Sequence, residues 1–538
     1  MRFSLNLLVK GRKSLAQHEF SIVRYLSKME RRGLVLGIYT ENGNNSSASN
    51  LQNNVEKKEP SPHTVDQFSS WGKKFNDETS GVILKQLNCS EPLKCGKNRI
   101  LYGLTDKYSA VAVAGLGKRG AGIDLQEQIH YGRENVRSAI AGATKALKDI
   151  GCKAIDVDPC GYPTAAAEGA IMSIFNYDEL KSKKQPKPQV IVNLLTNGED
   201  SKEAAQFEDG IILAEGQNLC RKLTDMPANL LTPTKFAEIA QQLAEKEPSL
   251  QVIARDKAWA EKEKMFSFLS VSQGSAEPPV FLEMRLKSKN ASPDRPPVVL
   301  VGKGVCFDSG GISLKPSANM DKMRGDMGGA ANVLAALYTL SRLNVNLPFD
   351  VVGLTPLVEN MPGGRATKPG DVFFARNGKS IKVDNTDAEG RLILADALCY
   401  ADTFKPSHVI DLATLTGAMV MALGATATGV FCSDDKLWQK ILDSSIEVGD
   451  RVWRMPLFKA YNAKMKADCA DLNNIAKPGS GAGSCVAAGF LREFVECNSW
   501  AHFDIAGTME ADGDIAYISK GMTGRPLRLL VHLLESLE

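Results

Sequence analysis

The residues of this chain best suited to chemistry lie in four short segments rich in glycine. Asn385-Thr386-Asp387-Ala388-Glu389-Gly390-Arg391-Leu392 sets two carboxylates two residues apart, with an arginine two further on. Upstream, Val301-Gly302-Lys303-Gly304-Val305-Cys306-Phe307-Asp308-Ser309-Gly310-Gly311 adds a lysine and an acid, and Lys315 and Asp326 follow. Four acids, two lysines and an arginine are the inventory of an oxygen-rich site for two divalent metals, with cationic groups left to meet developing negative charge. Asp308, Asp326, Asp387 and Glu389 contribute −4, which neutralises two dications. Lys303 fits that balance as a neutral amine, a state an adjacent dication can impose, whereas Lys315 stays protonated.

Each residue alone has a plainer reading. Asp387 and Glu389 alternate, so in extended chain both can face one ion. Yet Thr386-Asp387-Ala388-Glu389 also has the form of a capping box ahead of Leu392-Ile393-Leu394. An EF-hand fails, because Ala388 occupies a liganding position counted from Asp384. Asp308 follows an apolar strand, where the ligand crevice of an α/β sheet opens, but Asp308-Ser309-Gly310-Gly311 also suits a tight turn. Asp326 precedes a helix whose dipole it would complement, and lysines such as Lys303 and Lys315 are ordinarily solvated. Other chemistries are excluded. Phe307 breaks the G-x-S-x-G nucleophile elbow, and Gly302-Lys303-Gly304 lacks the Walker spacing. The six histidines (His18, His63, His130, His408, His502, His532) share no ligand spacing and form no H-E-x-x-H.

Taken together, the segments resemble the leucyl aminopeptidase family, whose signature the Asn385–Leu392 octapeptide matches, and this weighs strongly for metal binding over capping. The likeness runs from about Gly33 to the C-terminus and is close to the animal cytosol aminopeptidases. It leaves out residues 1–32 and weakens over residues 43–64. It implies a two-domain α/β protein, with a smaller N-terminal α/β domain and a larger C-terminal catalytic domain on a central mixed sheet. It implies that Asp308, Asp387 and Glu389 bind one ion and Lys303, Asp308, Asp326 and Glu389 the other, the metals being Zn, Mn or Mg. Lys315 would stabilise the oxyanion. Arg391 would hold a bicarbonate acting as general base, which suits the bidentate geometry of a guanidinium. Met323, Thr414, Gly417, Ala506 and Met509 match positions of an apolar substrate pocket, and methionines suit flexible aliphatic chains such as leucine. Two ions bridging one water would lower its pKa, polarise a peptide carbonyl and hold a free α-amino group, so cleavage would proceed from the N-terminus. The family's homohexamer places active sites in an interior cavity, which would restrict substrates to short peptides. The alternative is a structural or assembly protein on an inactivated aminopeptidase fold. It would show broken ligand positions, and all seven key residues are intact here.

A chain of 538 residues is too long for one ordinary core. Hydrophobic content of 43% and charged content of 24% are those of a globular protein. The net charge of +3 is uneven. Residues 1–32 carry eight Lys/Arg against Glu19 and Glu30, a balance of +6, which leaves −3 for the remainder. So mildly acidic a body argues against a nucleic-acid partner. Eleven scattered cysteines without a C-x-x-C pair point to reduced thiols. No apolar run approaches the roughly 18 residues that span a bilayer. The basic, serine-dotted N-terminus fits a mitochondrial transit peptide better than a secretory signal, giving a matrix location with the cytoplasm as alternative.

These segments need elements to position them. Strands are expected at Arg32–Thr40, Ser109–Ala114 and Gln189–Leu195, with a helix over 134–147 between them, an α/β rhythm with a largely parallel sheet. Residues 42–64, rich in Asn, Ser, Gln and Lys, read as a surface insertion. Residues 203–223 read as a long helix connecting domains 33–200 and 226–538, the connector spanning 201–225. Beyond it, Thr232-Pro233 opens a helix. Strands follow at Val280–Leu286, Pro297–Val301, Phe349–Leu354, Ile381–Val383 and Val409–Leu412, with helices at Ala330–Leu343 and Leu392–Tyr400. Every chemical motif lies in this second half.

Overall fold

Strand Arg32–Thr40 forms where its apolar run places it, with Leu34, Val35, Leu36 and Ile38 fully buried. The computed structural model describes residues 31–40, 62–182, 190–196, 198, 202–477 and 479–537. Residues 1–30 of the expected leader and 42–61 of the expected insertion lie outside the described residues. The chain falls into two compact units. The smaller comprises residues up to 119, 135–174 and 180–207, and the larger 120–134, 175–179 and 208 onward.

In the smaller unit Arg32–Thr40 lies between Ala110–Lys118 and Ala154–Val157, parallel to both, and Ile191–Leu194 adds a further parallel strand. Asn98–Leu101 closes the other edge antiparallel. The strand expected to stop at Gly115 continues to Lys118, through a register shift opposite Ile38–Thr40.

The larger unit is built on a nine-stranded mixed sheet. At its centre Val298–Gly302 runs parallel to Val351–Asn360 on one side and to His408–Ala413 on the other. Trp500–Asp504 follows His408–Ala413, again parallel. Antiparallel neighbours complete both flanks, among them Val280–Leu286 against Val351–Asn360 and Thr428–Cys432 against Trp500–Asp504. Alternate residues of the central strand enter different cores. Val298 and Leu300 join helices Pro233–Ala244, Gly328–Leu343 and Leu527–Ser536, while Val299 and Val301 join Phe266–Ser272, Gly390–Ala401 and Gly483–Arg492. A sheet covered on both faces explains why its strands read as unbroken apolar runs.

The segment around Ile381 forms strand Ser380–Lys382, but in a separate three-stranded sheet with Val372–Phe374 and Leu472–Asn473. The helix Lys202–Asp225 forms over the expected connector, and from residue 208 it belongs to the larger unit. Its buried face carries polar groups. Gln217 Nε2 donates to the Thr523 carbonyl at 2.8 Å and Arg221 Nε to the Met522 carbonyl at 3.2 Å.

The first turn of Gly328–Leu343 lies almost flush on the strand ends that carry the chemistry. A Cβ on Gly329 would sit 2.1 Å from the Leu412 carbonyl oxygen and 2.7 Å from Lys303 N, both backbone atoms without freedom to move. Gly329→Ala is therefore expected to cost about 1–3 kcal/mol of stability through overpacking, read as a lower urea midpoint. Gly364, with nothing within 4 Å of its Cβ position, is the control. Equal midpoints for the two alanine variants would show that helix and sheet are not in obligatory contact there.

Candidate metal centre

Lys303 interrupts what would be one long strand. Val298–Gly302 pairs with residues up to Leu354, and Gly304–Asp308 resumes the pairing from Leu357 to Asn360. At the break Lys303 N donates to Leu412 O at 3.0 Å and its carbonyl accepts from Ala330 N at 2.9 Å. Its side chain runs past Gly390, where a Cβ would stand 2.6 Å from Lys303 Cε. This close approach explains a glycine at the opening of helix Gly390–Ala401.

The amine ends among acids and is 2% exposed. Lys303 Nζ lies 2.8 Å from Asp326 Oδ1, 2.9 Å from Glu389 Oε1 and 2.8 Å from the Thr414 carbonyl. Three acceptors match the three hydrogens of an ammonium. Burial opposes that charge, but the negative charges of Asp326, Glu389 and Asp308 outweigh it and raise the lysine pKa. Among the protein's own groups Lys303 is thus a buried cation, and the neutral amine expected from charge balance requires metal to displace its proton.

Asp308 ends its strand, and Gly310 and Gly311, at φ +89° and +67°, turn the chain away behind it. Lys315 Nζ stands 2.8 Å from Asp308 Oδ2 and 2.5 Å from Asp387 Oδ1. Its pKa is raised: burial pulls it down, and Asp308, Glu389 and the hydrogen bonds to Asp308 and Asp387 push it further up. Asp326 follows the 3₁₀ turn Met320–Gly325. It is no free dipole partner, because Oδ1 accepts from Lys303 and, at 2.6 Å, from Thr414 Oγ1.

Asp387 and Glu389 do not converge by extended alternation. Asp387 lies in a turn, and Glu389, at φ −82° and ψ −35°, is the residue before the helix with no capping bond from its side chain. The capping box is absent as well. Thr386 Oγ1 donates instead to Gly310 O at 2.7 Å and accepts from Ser313 N at 2.8 Å, which ties this turn to the Asp308 loop.

Asp308, Asp326 and Glu389 each bring one oxygen within 4.8 Å of the others. Burial is the first cause that raises the pKa of Asp308, Asp326 and Asp387. Asp326 Oδ2 and Glu389 Oε2 are buried without a hydrogen-bond partner. Buried, mutually repelling carboxylates with unused lone pairs are a donor set that fits divalent cations. Arg391 is 8% exposed, and burial lowers its pKa to about 10 against the pull of Glu389 and Asp504. Its Nη1 donates to the Asn474 carbonyl at 2.8 Å, while its Nε is buried without a partner.

All twelve residues singled out from the sequence line one cleft of about 420 Å³: the five candidate ligands, Lys315, Arg391, and Met323, Thr414, Gly417, Ala506 and Met509. Reading by motif missed several neighbours. Leu415, Val420 and Ile475 extend the apolar wall. Met522 packs behind it, with Met522 Cε 2.6 Å and Met509 Cε 3.0 Å from a Cβ placed on Gly325. Asn474 holds the signature loop, its Nδ2 donating to Asn385 O at 2.6 Å. Asp504 accepts from Thr416 Oγ1 at 2.6 Å and from Ala506 N at 3.3 Å, joining two walls of the pocket. Leu415 and Asp504 lie within the segments that carry the family resemblance, Ala413-Thr414-Leu415-Thr416-Gly417-Ala418 and Asp504-Ile505-Ala506-Gly507-Thr508-Met509, but had no role assigned there. His502, fully buried and paired with Asp411, is a core histidine.

Comparison with known proteins agrees with this geometry. Residues 218–531 match the catalytic domain of the cytosol aminopeptidase family, and residues 58–184 match its N-terminal domain. The cytosol aminopeptidase of Bos taurus is 52% identical over 508 residues, covering 94% of this chain and 92% of the relative. That of Homo sapiens is 49% identical and covers 99% of this chain and 98% of the relative. The human match therefore reaches into residues 1–32, which the motif resemblance leaves out. A solved structure of the bottromycin maturation enzyme BotP in complex with Mn superposes with a TM-score of 0.75 at 30% identity, covering 94% of this chain and 99% of that one. The chain belongs to the cytosol aminopeptidase family. It is accordingly a metal-dependent aminopeptidase, a hydrolase acting on peptides, and the alternative of an inactivated structural relative is not favoured.

Asp387→Asn, isosteric but neutral, is expected to leave the fold intact, to lose one of two bound ions and to abolish hydrolysis. Elemental analysis showing two ions per chain with near-normal activity would remove Asp387 from the site.

Proposed function

We propose that this cleft releases N-terminal amino acids, preferably leucine and other aliphatic residues, from short peptides. One observation carries the reading: five candidate ligands, a lysine and an arginine converge on the same cleft as the methionine-lined pocket. Asp308, Asp387 and Glu389 would hold one divalent ion and Lys303, Asp308, Asp326 and Glu389 the other, drawn from Zn, Mn or Mg. When bound, such ions supply Lewis acidity towards a peptide carbonyl and a nucleophile from water at neutral pH.

The chain's own groups do the rest. Met323, Met509, Ala506 and Gly417 seat an aliphatic side chain, which orients the first residue of the peptide. Lys315, held protonated by Asp308 and Asp387, donates to the oxyanion that develops as the carbonyl becomes tetrahedral. The unpartnered Nε of Arg391 would take a planar anion such as bicarbonate, whose contribution when bound is a general base. The family resemblance also supports a homohexamer. Residues 1–32, with their +6 balance, support import into the mitochondrial matrix, with the cytoplasm as the alternative.

Two measurements test these assignments. Lys315→Ala should lower kcat roughly 10²–10³-fold, as loss of one oxyanion donor does, with KM changing far less and two ions retained. Lys303→Ala should instead lose one ion and recover part of its activity in excess cation. Equal metal loss in both variants, or a pure KM effect at Lys315, would overturn this division of roles between the two lysines. Residues 1–32 fused to a fluorescent protein should carry it to mitochondria, and diffuse cytosolic fluorescence would refute the import signal.

A further inference from the structure

Asn360 is neither an acid nor part of a recognisable motif, yet it bonds two of the ligand-bearing segments at once. It ends the strand Val351–Asn360, stands opposite Asp308 in the register, and is 4% exposed. Its Nδ2 donates to Asp308 Oδ1 at 2.8 Å and to the Thr386 carbonyl at 3.0 Å. Both partners are acceptors, so both hydrogens of the amide are committed and its orientation is determined.

The surroundings hold it in place. Ser309 N and Oγ close on the Asn360 carbonyl at 3.0 and 2.7 Å. The side-chain Oδ1 faces Gly311, where a Cβ would lie 2.8 Å away. Gly310 N gives Asp308 Oδ1 its second donor at 2.9 Å. That oxygen is thereby fixed, and Oδ2 is left facing Lys315 and Asp387. A carboxylate at position 360 would add a further buried negative charge beside Asp308. A hydroxyl has one hydrogen and cannot serve both acceptors. On the other side of the centre the brace is Thr414, whose Oγ1 donates to Asp326 Oδ1 at 2.6 Å and whose carbonyl accepts from Lys303 at 2.8 Å.

We propose that Asn360 is a positioning residue that clamps Asp308 to the Thr386–Asp387 turn and sets the affinity of the ion Asp387 holds, with Thr414 doing the same for the ion Lys303 and Asp326 hold. The inference rests on the dimetal reading above. Groups that orient ligating carboxylates typically contribute 10–100-fold in metal affinity. Asp308 serves both ions, so loosening it weakens both somewhat. Release of the Asp387 turn concentrates the loss on one.

The test is a Zn²⁺ titration of chelator-stripped full chain against a competing chromophoric chelator, which resolves two dissociation constants. Asn360→Leu keeps the volume and removes both donors. It is expected to weaken one ion roughly 10–100-fold, at least tenfold more than the other, and Thr414→Val to weaken the opposite one. Asn360→Ser, which keeps one donor, should give an intermediate loss at the ion that Asp387 holds and stands in if the leucine variant does not fold. Equal weakening of both ions, or no weakening, would overturn the clamp. Wild-type protein taking up fewer than two Zn²⁺ would overturn the dimetal reading itself, and the clamp with it.

Discussion

The structure depends on burying Asp308, Asp326 and Glu389 with oxygens within 4.8 Å of one another, and Asp387 beside them. Carboxylates in such proximity repel, and each loses hydration it had in the unfolded chain. The protein offsets this with two ammonium groups set among them. Lys303 answers Asp326 and Glu389, and Lys315 answers Asp308 and Asp387. An arrangement satisfied by monovalent cations in these positions leaves oxygens such as Asp326 Oδ2 and Glu389 Oε2 unused. Its chemistry therefore favours divalent ions, and it explains why the centre must be rigid, since a loosened acid would rotate towards water.

Rigidity comes from where the segments leave the sheet. Lys303 and Asp308 lie at successive interruptions of one strand path, and Thr414 and Ala506 follow the neighbouring strand ends. Close backbone approach is then unavoidable, which accounts for Gly329 against Leu412 and Gly390 against Lys303. The loops are tied to each other as well as to the sheet. Thr386 bonds the Gly310–Ser313 loop, and Asp504 spans Thr416 and Ala506. Thr414, which lines the pocket, also donates to Asp326 Oδ1 at 2.6 Å, so one hydrogen bond joins the pocket wall to the acids.

The pocket has a different character. Its wall is formed by Met323 and Met509, with Met522 packed behind, and small residues, Gly325 and Gly328, leave room for the thioethers. Thioether chains fill irregular space and adapt to their contents. An adaptable wall beside a rigid charged centre suits a site that must hold the scissile group in one place while accepting side chains of several shapes.

By itself the sequence determined the α/β class, the central apolar strands and the acids, lysines and arginine of the cleft, because each is written locally, whereas the five pocket residues were legible only through the family resemblance. Burial on both faces imposes apolar runs such as Val298–Val301, and a ligand segment requires its acids and glycines at short spacing, as in Asp387-Ala388-Glu389-Gly390. The tertiary structure alone decided how those segments meet. Local spacing favoured an extended Asp387–Glu389 pair or a capping box, and neither formed, because Thr386 found partners at Gly310 and Ser313, more than seventy residues away. Asn360, Asn474 and Met522 were illegible for the same reason. Their roles lie in hydrogen bonds and packing against distant segments, and nothing in their own neighbourhood distinguishes them from any buried asparagine or methionine. Lys303 shows the division most clearly: its place between two glycines is written in the chain, but its charge is set by Asp326 and Glu389, which only the fold brings to it.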